Sequence, residues 1–450
     1  MQAAKILEER KGSILSKDFG CSGDGKGINC DKASVSGAVS QRACVYCGAR
    51  VVLNPITDAY HIVHGPIGCA SYTWDIRGSL SSGSELYRNS FSTDLREKDV
   101  IFGGEKKLTA AIDELMEQCA PKVKVIFIYA TCIVGVIGDD VEAVCKAAEK
   151  KYGIRVIPVK APGFSGTKSQ GYKMACNAIM ELIKPHADAP KVKGVNILGD
   201  FNLAGEMWII KNYLKKIGIN VISTITGDSS YDTLIKAPTA QLNLVQCAGS
   251  STYLANRMEE EMGIPFIKVS FFGIEDTTSS LMRIAQAVGD EECIRKAKAF
   301  TSRESTRLTT FLEQYRPHLE GKKAAIYVGG GFKAISLIRQ FNEMGIETVV
   351  VGTQTGKKDD YEIIESLVKP STIILDDANP AELETFMREK EADILVGGVK
   401  ERPLAYKLGI AFCDHNHERK HALAGYEGVE NFTREINLTI NSPVWNYTQR

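Results

Sequence analysis

Short apolar runs rich in β-branched residues alternate with longer amphipathic segments along most of the chain. From about Lys122 onward the alternation is regular, which is the pattern of parallel strands joined by crossover helices. Ten runs are predicted to be strands: KVIFIYA, RVIPVKA, GVNILGD, NVISTIT, LNLVQC, PFIKVSFF, AAIYVGG, TVVVGTQ, TIILDD and DILVGG. This number of strands indicates an α/β fold with more than one doubly wound sheet.

The segments between these runs carry apolar residues at helical spacing, and several end at a glycine that is typical of a helix C-cap. Residues 291–320 have no strand pattern and predict one long or interrupted helix, so we expect a domain boundary before the strand that opens at Ala324. Residues 11–40 are rich in glycine, serine and polar residues. They predict an extended arm with little core of its own.

The charge balance argues against a polyanionic partner. Lysine plus arginine and aspartate plus glutamate number 55 each in the 450 residues, so there is no net field to hold nucleic acid. The first residues, MQAAKILEERKG, lack the apolar core of a secretory signal, and no later apolar run reaches the roughly 20 residues that span a bilayer. These features predict a cytoplasmic protein of two to three domains, without nucleic-acid or membrane contact.

The twelve cysteines should remain thiols in that compartment, so those outside the core are candidates for metal or redox chemistry. Four fall inside helix-like segments and are expected to be core residues: Cys119, Cys145, Cys176 and Cys293. Two others, Cys132 and Cys247, stand where a predicted strand ends, which is where open parallel sheets collect ligands. Each precedes a helix whose N-terminal dipole would stabilise a thiolate.

Three further cysteines lie nearer the N-terminus. Cys44 and Cys47 form a CxxC, which is compatible with a redox pair, a zinc half-site or neither, and no second CxxC follows at zinc-ribbon spacing. Cys69 follows a Gly-Pro-Ile-Gly turn. Tight glycine turns beside cysteines suit an iron-sulfur cluster, whose sulfides accept backbone N–H bonds. Taken singly, each of these cysteines is more often a buried apolar residue.

Two other segments deserve a functional interpretation beside a structural one. DHNHERKHALAG carries His415, His417 and His421; such tracts sometimes bind metal, but a solvated loop is commoner. AAIYVGGGFKAI places a glycine run after a strand without matching GxGxxG or the P-loop. We interpret it as a tight turn that lets the backbone approach a ligand. From the residues alone, the function stays open.

Seven segments together resemble the nitrogenase component 1 α-subunit family from about Cys44 to the C-terminus: RACVYCG, HGPIGCASYTWDIRG, ATCIVGVIGDD, GVNILGDFN, NLVQC, EEEMGIPFIKVSFFG and VGTQTGKKDDY. SFSTDLREKDVIFGGEKKL and VVVGTQTG are similar to the cofactor-assembly branch of that family. The resemblance implies three doubly wound, Rossmann-like parallel-sheet domains. We therefore expect an N-terminal arm at 1–40 and α/β domains at 41–190, 191–320 and 321–450.

The resemblance also implies a cluster shared between subunits. Cys44, Cys69 and Cys132 correspond to the three α-side ligands of a [4Fe-4S] cluster at the subunit interface. A four-iron cluster needs one more ligand, which the homologous β-like subunit NifN would supply within an α2β2 heterotetramer. Cys47 lies outside the family's ligand set, so the resemblance makes it a structural or supporting residue.

A second site follows from the same resemblance. Cys247 matches the family's single cysteine ligand to the large iron-molybdenum cofactor. The catalytic subunit holds the other end with a histidine, where ungapped alignment of DHNHERKHALAGYEG places Ala424. Tyr172 replaces a histidine that supports substrate reduction, and Phe332 replaces an arginine that contacts the cofactor. The expected cofactor-binding residues are Cys247, Gly329, Gly330, Lys333 and His421.

These departures favour an assembly scaffold over a nitrogenase catalyst, because a site that must release its cluster benefits from weaker anchoring. The resemblance implies that the scaffold receives an iron-sulfur precursor, supports its conversion with molybdenum and homocitrate, and passes on the mature cofactor. Its partners would be NifN, the nitrogenase iron protein NifH, which docks across the shared cluster for electron transfer, and the upstream cluster-synthesis protein NifB.

Three alternatives stay open. The first is a catalytic nitrogenase α-subunit or a vanadium-type relative; Ala424 and Tyr172 argue against the catalyst. The second is a protochlorophyllide-reductase-like subunit, which would share the fold and the shared cluster but has no reason to keep Cys247. The third is a purely structural partner subunit with incidental cysteines.

Overall fold

The computed structural model describes residues 8–18, 20–23, 27–30, 43–74, 80–246, 248–289, 291–415, 419 and 421–447. The chain forms two compact units. One is Ala43–Lys268, and the other combines Met1–Arg42 with Val269–Arg450. The finer division into an arm and three domains stays a prediction.

The described strands, in chain order, are β1 Ile14–Ser16, β2 Cys21–Ser22, β3 Ala59–His64, β4 Ser90–Ser92, β5 Val125–Ala130, β6 Arg155–Lys160, β7 Val195–Leu198, β8 Val221–Ile225, β9 Leu242–Val245, β10 Phe266–Lys268, β11 Lys323–Val328, β12 Glu347–Thr353, β13 Ile373–Asp376, β14 Ile394–Gly397 and β15 Ala411–Asp414. The described α-helices are α1 Val45–Leu53, α2 Ile67–Trp74, α3 Glu97–Phe102, α4 Glu105–Cys119, α5 Cys132–Ile137, α6 Val141–Tyr152, α7 Lys168–Ile183, α8 Glu206–Lys216, α9 Tyr231–Leu234, α10 Ala248–Met262, α11 Ile274–Val288, α12 Glu291–Leu319, α13 Gly331–Met344, α14 Lys358–Leu367, α15 Pro380–Glu389, α16 Arg402–Leu408 and α17 Gly425–Ile440. Short 3-10 helices lie between some of these elements, among them Leu80–Asn89 and Gly163–Ser165.

The unit Ala43–Lys268 contains two four-stranded parallel sheets, with strand orders β4-β3-β5-β6 and β10-β9-β7-β8. Every residue of β5 is buried, as expected for a central strand of a parallel sheet that helices cover on both faces. β3 pairs with β5 up to His64 opposite Ala130. The two strands therefore end side by side, at the edge of the sheet where Cys69 follows β3 and Cys132 follows β5.

Helices α1 and α7 cross in backbone contact at two glycines. A Cβ atom on Gly171 would lie 2.0 Å from the carbonyl oxygen of Val45, and one on Gly48 would lie 2.1 Å from that of Lys168. Only glycine permits so close an approach. The crossing fixes the start of α1, whose N-cap is Cys44, against the start of α7.

The second unit is built on a seven-stranded sheet of order β15-β14-β11-β12-β13-β1-β2. The strands from β15 to β13 are parallel, whereas β1 pairs antiparallel with β13 and with β2. Ile14 of β1 is fully buried, and Nε of Arg10 donates to Oε1 of Glu382 at 3.0 Å. The described part of the arm therefore packs on a core to which its partner strand, distant in sequence, belongs, and the arm at 1–40 stays a prediction.

Several sequence predictions are confirmed. All ten predicted strands are present, as β5 to β14, and the predicted long helix is α12. Cys145, Cys176 and Cys293 are buried as predicted, and Cys119 is half-buried. Throughout the ranges given above, no helix combines the length and the apolar character that crossing a membrane requires.

A half-buried carboxylate, that of Glu343, caps helix α11 in the second unit. Glu343 accepts the backbone N–H of Ile274 at 3.0 Å and that of Glu275 at 2.9 Å. Burial raises the pKa of Glu343 to about 6, although these two N–H donors lower it. The carboxyl therefore binds its proton more tightly in the folded chain than in the unfolded one, where its pKa is 4.5.

Replacing Glu343 by glutamine is expected to remove a pH dependence of stability between pH 4.5 and about pH 6. As the pH rises through this window the unfolded chain loses the proton first, so the free energy of unfolding of the wild-type chain falls by up to roughly 2 kcal/mol. Urea unfolding at a series of pH values measures the difference between the two proteins. The matched control is Glu313→Gln, at an exposed position of α12. Curves for Glu343→Gln that run parallel to those of the wild type would contradict the assignment.

Candidate metal-cluster site

Each of the three predicted cluster cysteines lies at the N-terminal end of a helix. Cys44 is the N-cap of α1, with φ −77° and ψ 172°. Cys69 lies in the first turn of α2, and Cys132 is the first residue of α5. Because α2 follows β3, α5 follows β5, and these strands are parallel neighbours, the sheet brings Cys69 and Cys132 to the same edge.

Cys44 and Cys132 meet at Gly163, which follows β6, the other neighbour of β5. The backbone N–H of Gly163 donates to Sγ of Cys132 at 3.0 Å. A Cβ atom on Gly163 would lie 3.0 Å from that sulfur and 3.2 Å from Cβ of Cys44, so a side chain would intrude between the two cysteines. Gly163 was not among the predicted site residues, although its place in the turn after the strand RVIPVKA is a signal that could have found it.

Cys69 shares the electrostatic environment of the other two. Burial raises the pKa of the Cys69 thiol, the thiols of Cys132 and Cys44 raise it further, and a hydrogen bond with Thr131 lowers it. Thiolates at these three positions would repel one another, and a cationic metal centre that binds all of them removes the repulsion. A donor set made only of thiols suits iron-sulfur chemistry, because soft sulfur ligands are those that such clusters use.

The described cysteines are not arranged around a single metal ion. Among the residues that the structure describes, no three Cys, His, Asp or Glu side chains are placed to hold one metal ion, whose thiolate ligands would have to lie about 3.8 Å apart around a tetrahedral centre. In a [4Fe-4S] cluster each cysteine binds a different iron, so the ligand sulfurs lie further apart. Three cysteines leave such a cluster one ligand short.

The site opens to the surface. Cys132 is exposed, whereas Cys44 and Cys69 are half-buried. The elements around them expose large apolar side chains: Ile67 at 48%, Tyr72 at 49%, Val136 at 70% and Phe164 at 64%. Exposed apolar side chains grouped around a site are typical of contact with another protein.

Cys47 is more deeply buried than Cys44, Cys69 and Cys132. It is 5% exposed and lies inside α1. Burial raises the pKa of Tyr72, and Cys47 and Cys44 raise it further, which places Cys47 on the Tyr72 side of α1. Both cysteines of the CxxC are free thiols. The buried position supports the structural role expected for Cys47.

The chain is similar in sequence and fold to known proteins. Residues 44–441 match the family described as nitrogenase component 1 type oxidoreductase. The chain belongs to the nitrogenase component 1 family. It is 69% identical to the nitrogenase iron-molybdenum cofactor biosynthesis protein NifE of Clostridium pasteurianum, over 98% of this chain and 97% of the relative. It is 53% identical to NifE of Methanosarcina barkeri, over 98% of this chain and 96% of the relative.

The fold of the family is shared over the whole length. The solved structure of nitrogenase Cp1 at pH 6.5 superposes with a TM-score of 0.89 at 29% identity, covering 99% of this chain and 98% of that chain. The predicted fold class, an α/β protein with Rossmann-like parallel sheets of the nitrogenase component 1 type, is therefore confirmed.

Cys247, which resembles the family's ligand to the large cofactor, lies outside the described residues. Its predecessor Gln246 is buried after β9, and Nε2 of Gln246 donates to Oδ2 of Asp200 at 3.0 Å. Asp200 lies just beyond β7, the neighbour of β9, and accepts the N–H of Asn202 at 2.7 Å. This buried pair fixes the strand end that leads to position 247. Neither Gln246 nor Asp200 was predicted, although the strand-end rule that selected Cys247 applies equally to the aspartate of GVNILGD.

Gly329 and Gly330 form the turn between β11 and α13 in the second unit. A Cβ atom on Gly329 would meet nothing within 4 Å, and one on Gly330 would meet only Oγ1 of Thr355 at 3.9 Å. The packing of the chain itself does not require glycine here, so the turn leaves its backbone open to a ligand. Near it, Nζ of Lys333 donates to the carbonyl oxygen of His415 at 3.0 Å.

The histidine tract has two different environments. His415 is fully buried, with ring centroids 5.3 Å from Phe272 and 5.7 Å from Phe432, and burial holds its pKa well below the ordinary range. His421 is exposed, and His417 lies outside the described residues. The interpretation of the tract as a solvated loop is therefore wrong for His415.

Three residues are predicted to depart from catalytic members of the family, and each of them is packed against other parts of its unit. Ala424 is fully buried as the N-cap of α17. Tyr172 lies on α7, half-buried against the core of its unit, and Phe332 is half-buried in the first turn of α13. Their correspondence with the catalytic residues stays a prediction.

Proposed function

We propose that this chain is the scaffold subunit on which the iron-molybdenum cofactor of nitrogenase is assembled. The observation that carries the proposal is identity of 69% over nearly the full length of a cofactor biosynthesis protein. The convergence of three thiols at an open sheet edge supports it. In this proposal the iron-sulfur precursor is cargo, which the scaffold receives, keeps during insertion of molybdenum and homocitrate, and releases as the mature cofactor.

The second element of the proposal is a resident [4Fe-4S] cluster held by Cys44, Cys69 and Cys132, with the fourth ligand from NifN in an α2β2 heterotetramer. Exposure of Cys132 and of the apolar side chains around it supports a subunit interface there. When bound, such a cluster supplies one-electron transfer. The chain positions two of the thiolates where a helix dipole favours negative charge, Cys44 at the N-cap of α1 and Cys69 in the first turn of α2. The Gly163 N–H donates to the third, Cys132.

The cargo residues follow from the family resemblance. The proposed cofactor-binding residues are those that the resemblance implies: Cys247, Gly329, Gly330, Lys333 and His421. The open backbone of the glycine turn supports this assignment because cluster sulfides accept N–H bonds. Lys333 offers a positive charge that suits an anionic cluster or the carboxylates of homocitrate.

The proposal includes two further partners. NifH would dock across the shared cluster and deliver electrons, and NifB would supply the precursor. Both assignments rest on the resemblance to the cofactor-assembly branch. A cytoplasmic location fits a chain that exchanges oxygen-sensitive clusters with these proteins.

Replacing Ala424 by histidine is expected to slow transfer of the cargo to cofactor-free nitrogenase. An added ligand worth about 1.4 kcal/mol would slow release on the order of tenfold. The rate is measured as recovery of nitrogenase activity over time after mixing. The matched control is Ala422→His, which places the same side chain at another buried alanine, 7% exposed. Unchanged transfer by a variant that retains its iron would contradict the idea that weak anchoring distinguishes the scaffold.

The proposal as a whole is tested by metal analysis of the complex isolated anaerobically with its co-purifying subunit. We expect iron for the shared cluster plus a larger, molybdenum-poor cluster, and uptake of molybdenum when molybdate, homocitrate and reduced NifH are added. A complex that is rich in molybdenum and reduces dinitrogen as isolated would instead be a catalyst. A complex with only about four irons for each αβ pair would contradict a cargo site.

A further inference from the structure

Arg50 is a buried cation in the unit that carries the three cysteines. It lies on α1 and is only 1% exposed. Nη2 donates to Oγ of Ser90 at 2.5 Å, and the guanidinium carbon lies 5.3 Å from the ring centroid of Tyr129. Nε and Nη1 are buried without a hydrogen-bond partner. Within the described ranges, no Asp or Glu forms an ion pair with Arg50.

An unpaired buried guanidinium is unfavourable, because it loses hydration without gaining an opposite charge. Arg10 in the other unit is the contrasting case: it is 7% exposed, and it donates from Nε and Nη2 to the carboxylate of Glu382. Of the two buried arginines among the described residues, Arg10 is thus paired in the usual way, whereas Arg50 has no carboxylate partner there. A negatively charged group from outside the polypeptide, bound near Arg50, would give Arg50 the opposite charge that Arg10 already has.

The neighbours of Arg50 that the structure describes, Tyr46, His61 and Tyr129, do not supply that charge. Burial raises the pKa of Tyr129 to about 12 and also raises that of Tyr46, so both phenols stay protonated near neutral pH. His61 is fully buried, and burial, followed by the charge of Arg50, holds its pKa well below the ordinary range. Arg50 is thus a positive charge among neutral rings.

The three-cysteine site is the source of negative charge within reach. Arg50 follows Cys44 by six residues, which is roughly 9 Å along a helix axis, and helical side chains lean back toward the N-terminus. Tyr46 lies one turn before Arg50 and is close enough to both Arg50 and Cys69 for each to affect its pKa. Burial raises the pKa of Tyr46, Arg50 lowers it and Cys69 raises it. The ring of Tyr46 also lies 5.7 Å from that of Tyr129.

We propose that Arg50 is the buried counter-cation of the three-cysteine site and raises the reduction potential of the cluster held there. The inference rests on the proposed function, since it requires the shared cluster. A four-iron cluster with thiolate ligands is anionic and gains one more negative charge when one electron reduces it. A fixed cation in a poorly solvated interior stabilises the more negative state more strongly than the less negative one.

The test compares Arg50→Met and Arg50→Lys in the complex with its partner subunit, by redox titration of the cluster monitored by EPR. Arg50→Met is expected to disfavour reduction roughly tenfold, which lowers the midpoint potential by about 59 mV for one electron. Arg50→Lys keeps the charge and should retain most of the wild-type potential. The matched control, Arg10→Met, removes a carboxylate-paired arginine and should leave the potential unchanged.

A second readout uses the complex after its iron has been removed by chelation. Without the cluster the cation has no counter-charge, so Arg50→Met is expected to raise the melting temperature of the iron-free complex and not that of the loaded one. If Arg50→Met lowered the melting temperature equally in the iron-free and the loaded complex, and left the midpoint potential unchanged at full iron content, the inference would be overturned. The proposed function would not be affected. A wild-type complex without the shared cluster would overturn the proposed function itself.

Discussion

Replacing Cys132 by alanine is expected to abolish the EPR signal of the reduced shared cluster and to lower bound iron by about four atoms for each αβ pair. Cys132 is the most exposed of the three cysteines and the one whose sulfur accepts the Gly163 N–H. Alanine removes this thiolate ligand. Iron analysis and low-temperature EPR of the dithionite-reduced complex measure the result.

The matched control is Cys145→Ala, which removes a thiol from the core. Cys145 lies on α6, is 2% exposed, and has a pKa that burial raises to about 12, so it is inert as a ligand. This variant should lose about 1 kcal/mol of stability and keep the full EPR signal. A full signal in Cys132→Ala would remove Cys132 from the ligand set.

Replacing Gly171 by alanine is expected to lower the free energy of unfolding by roughly 3 kcal/mol, at the upper end for one added methyl group in a packed interior. The new Cβ would lie 2.0 Å from the carbonyl oxygen of Val45 and 2.7 Å from the amide nitrogen of Ala49. Both contacts are with backbone atoms, so α1 has to move as a whole. Because Cys44 caps α1, bound iron should fall as well. Urea unfolding and iron analysis measure the two effects.

Gly249→Ala is the control for that substitution. Gly249 also lies in a helix, α10, but a Cβ atom there would meet nothing within 4 Å. The change should be neutral or stabilise the chain by up to about 1 kcal/mol, because alanine favours a helix over glycine. If Gly171→Ala behaved like Gly249→Ala, the crossing of α1 and α7 would not determine the position of Cys44.

The sequence analysis missed β3 because this strand carries polar residues whose partners lie in distant segments of the chain. β3, AYHIVH, contains two histidines that are fully buried. Nδ1 of His61 is 2.9 Å from the hydroxyl of Tyr129, and Nε2 of His64 is 3.0 Å from Oδ2 of Asp139. These hydrogen bonds make buried histidines acceptable in a parallel strand, but they form only when distant segments meet.

The site could be predicted in part for the same reason. Cys132 was found because it directly follows an evident strand, whereas Cys44 and Cys69 became a set with it only through the family resemblance. The pairing of β3 with β5 brings Cys69 to Cys132. This pairing cannot be predicted from the spacing of the cysteines in the sequence. Arg50 went unnoticed because an arginine in a short helix is usually a surface residue; its burial comes from the packing of α1 on the sheet.

The sheet of the second unit ends in β2, a strand of two residues, and this has a consequence for how the chain behaves in a crowded cell. A very short last strand offers another chain few free N–H and C=O groups to pair with. Without β1 and β2, the edge would be β13, whose four residues are all buried in the intact sheet. An apolar edge of that kind invites another molecule to add a strand. A stretch of chain that bears none of the predicted metal ligands thus protects the scaffold from aggregation.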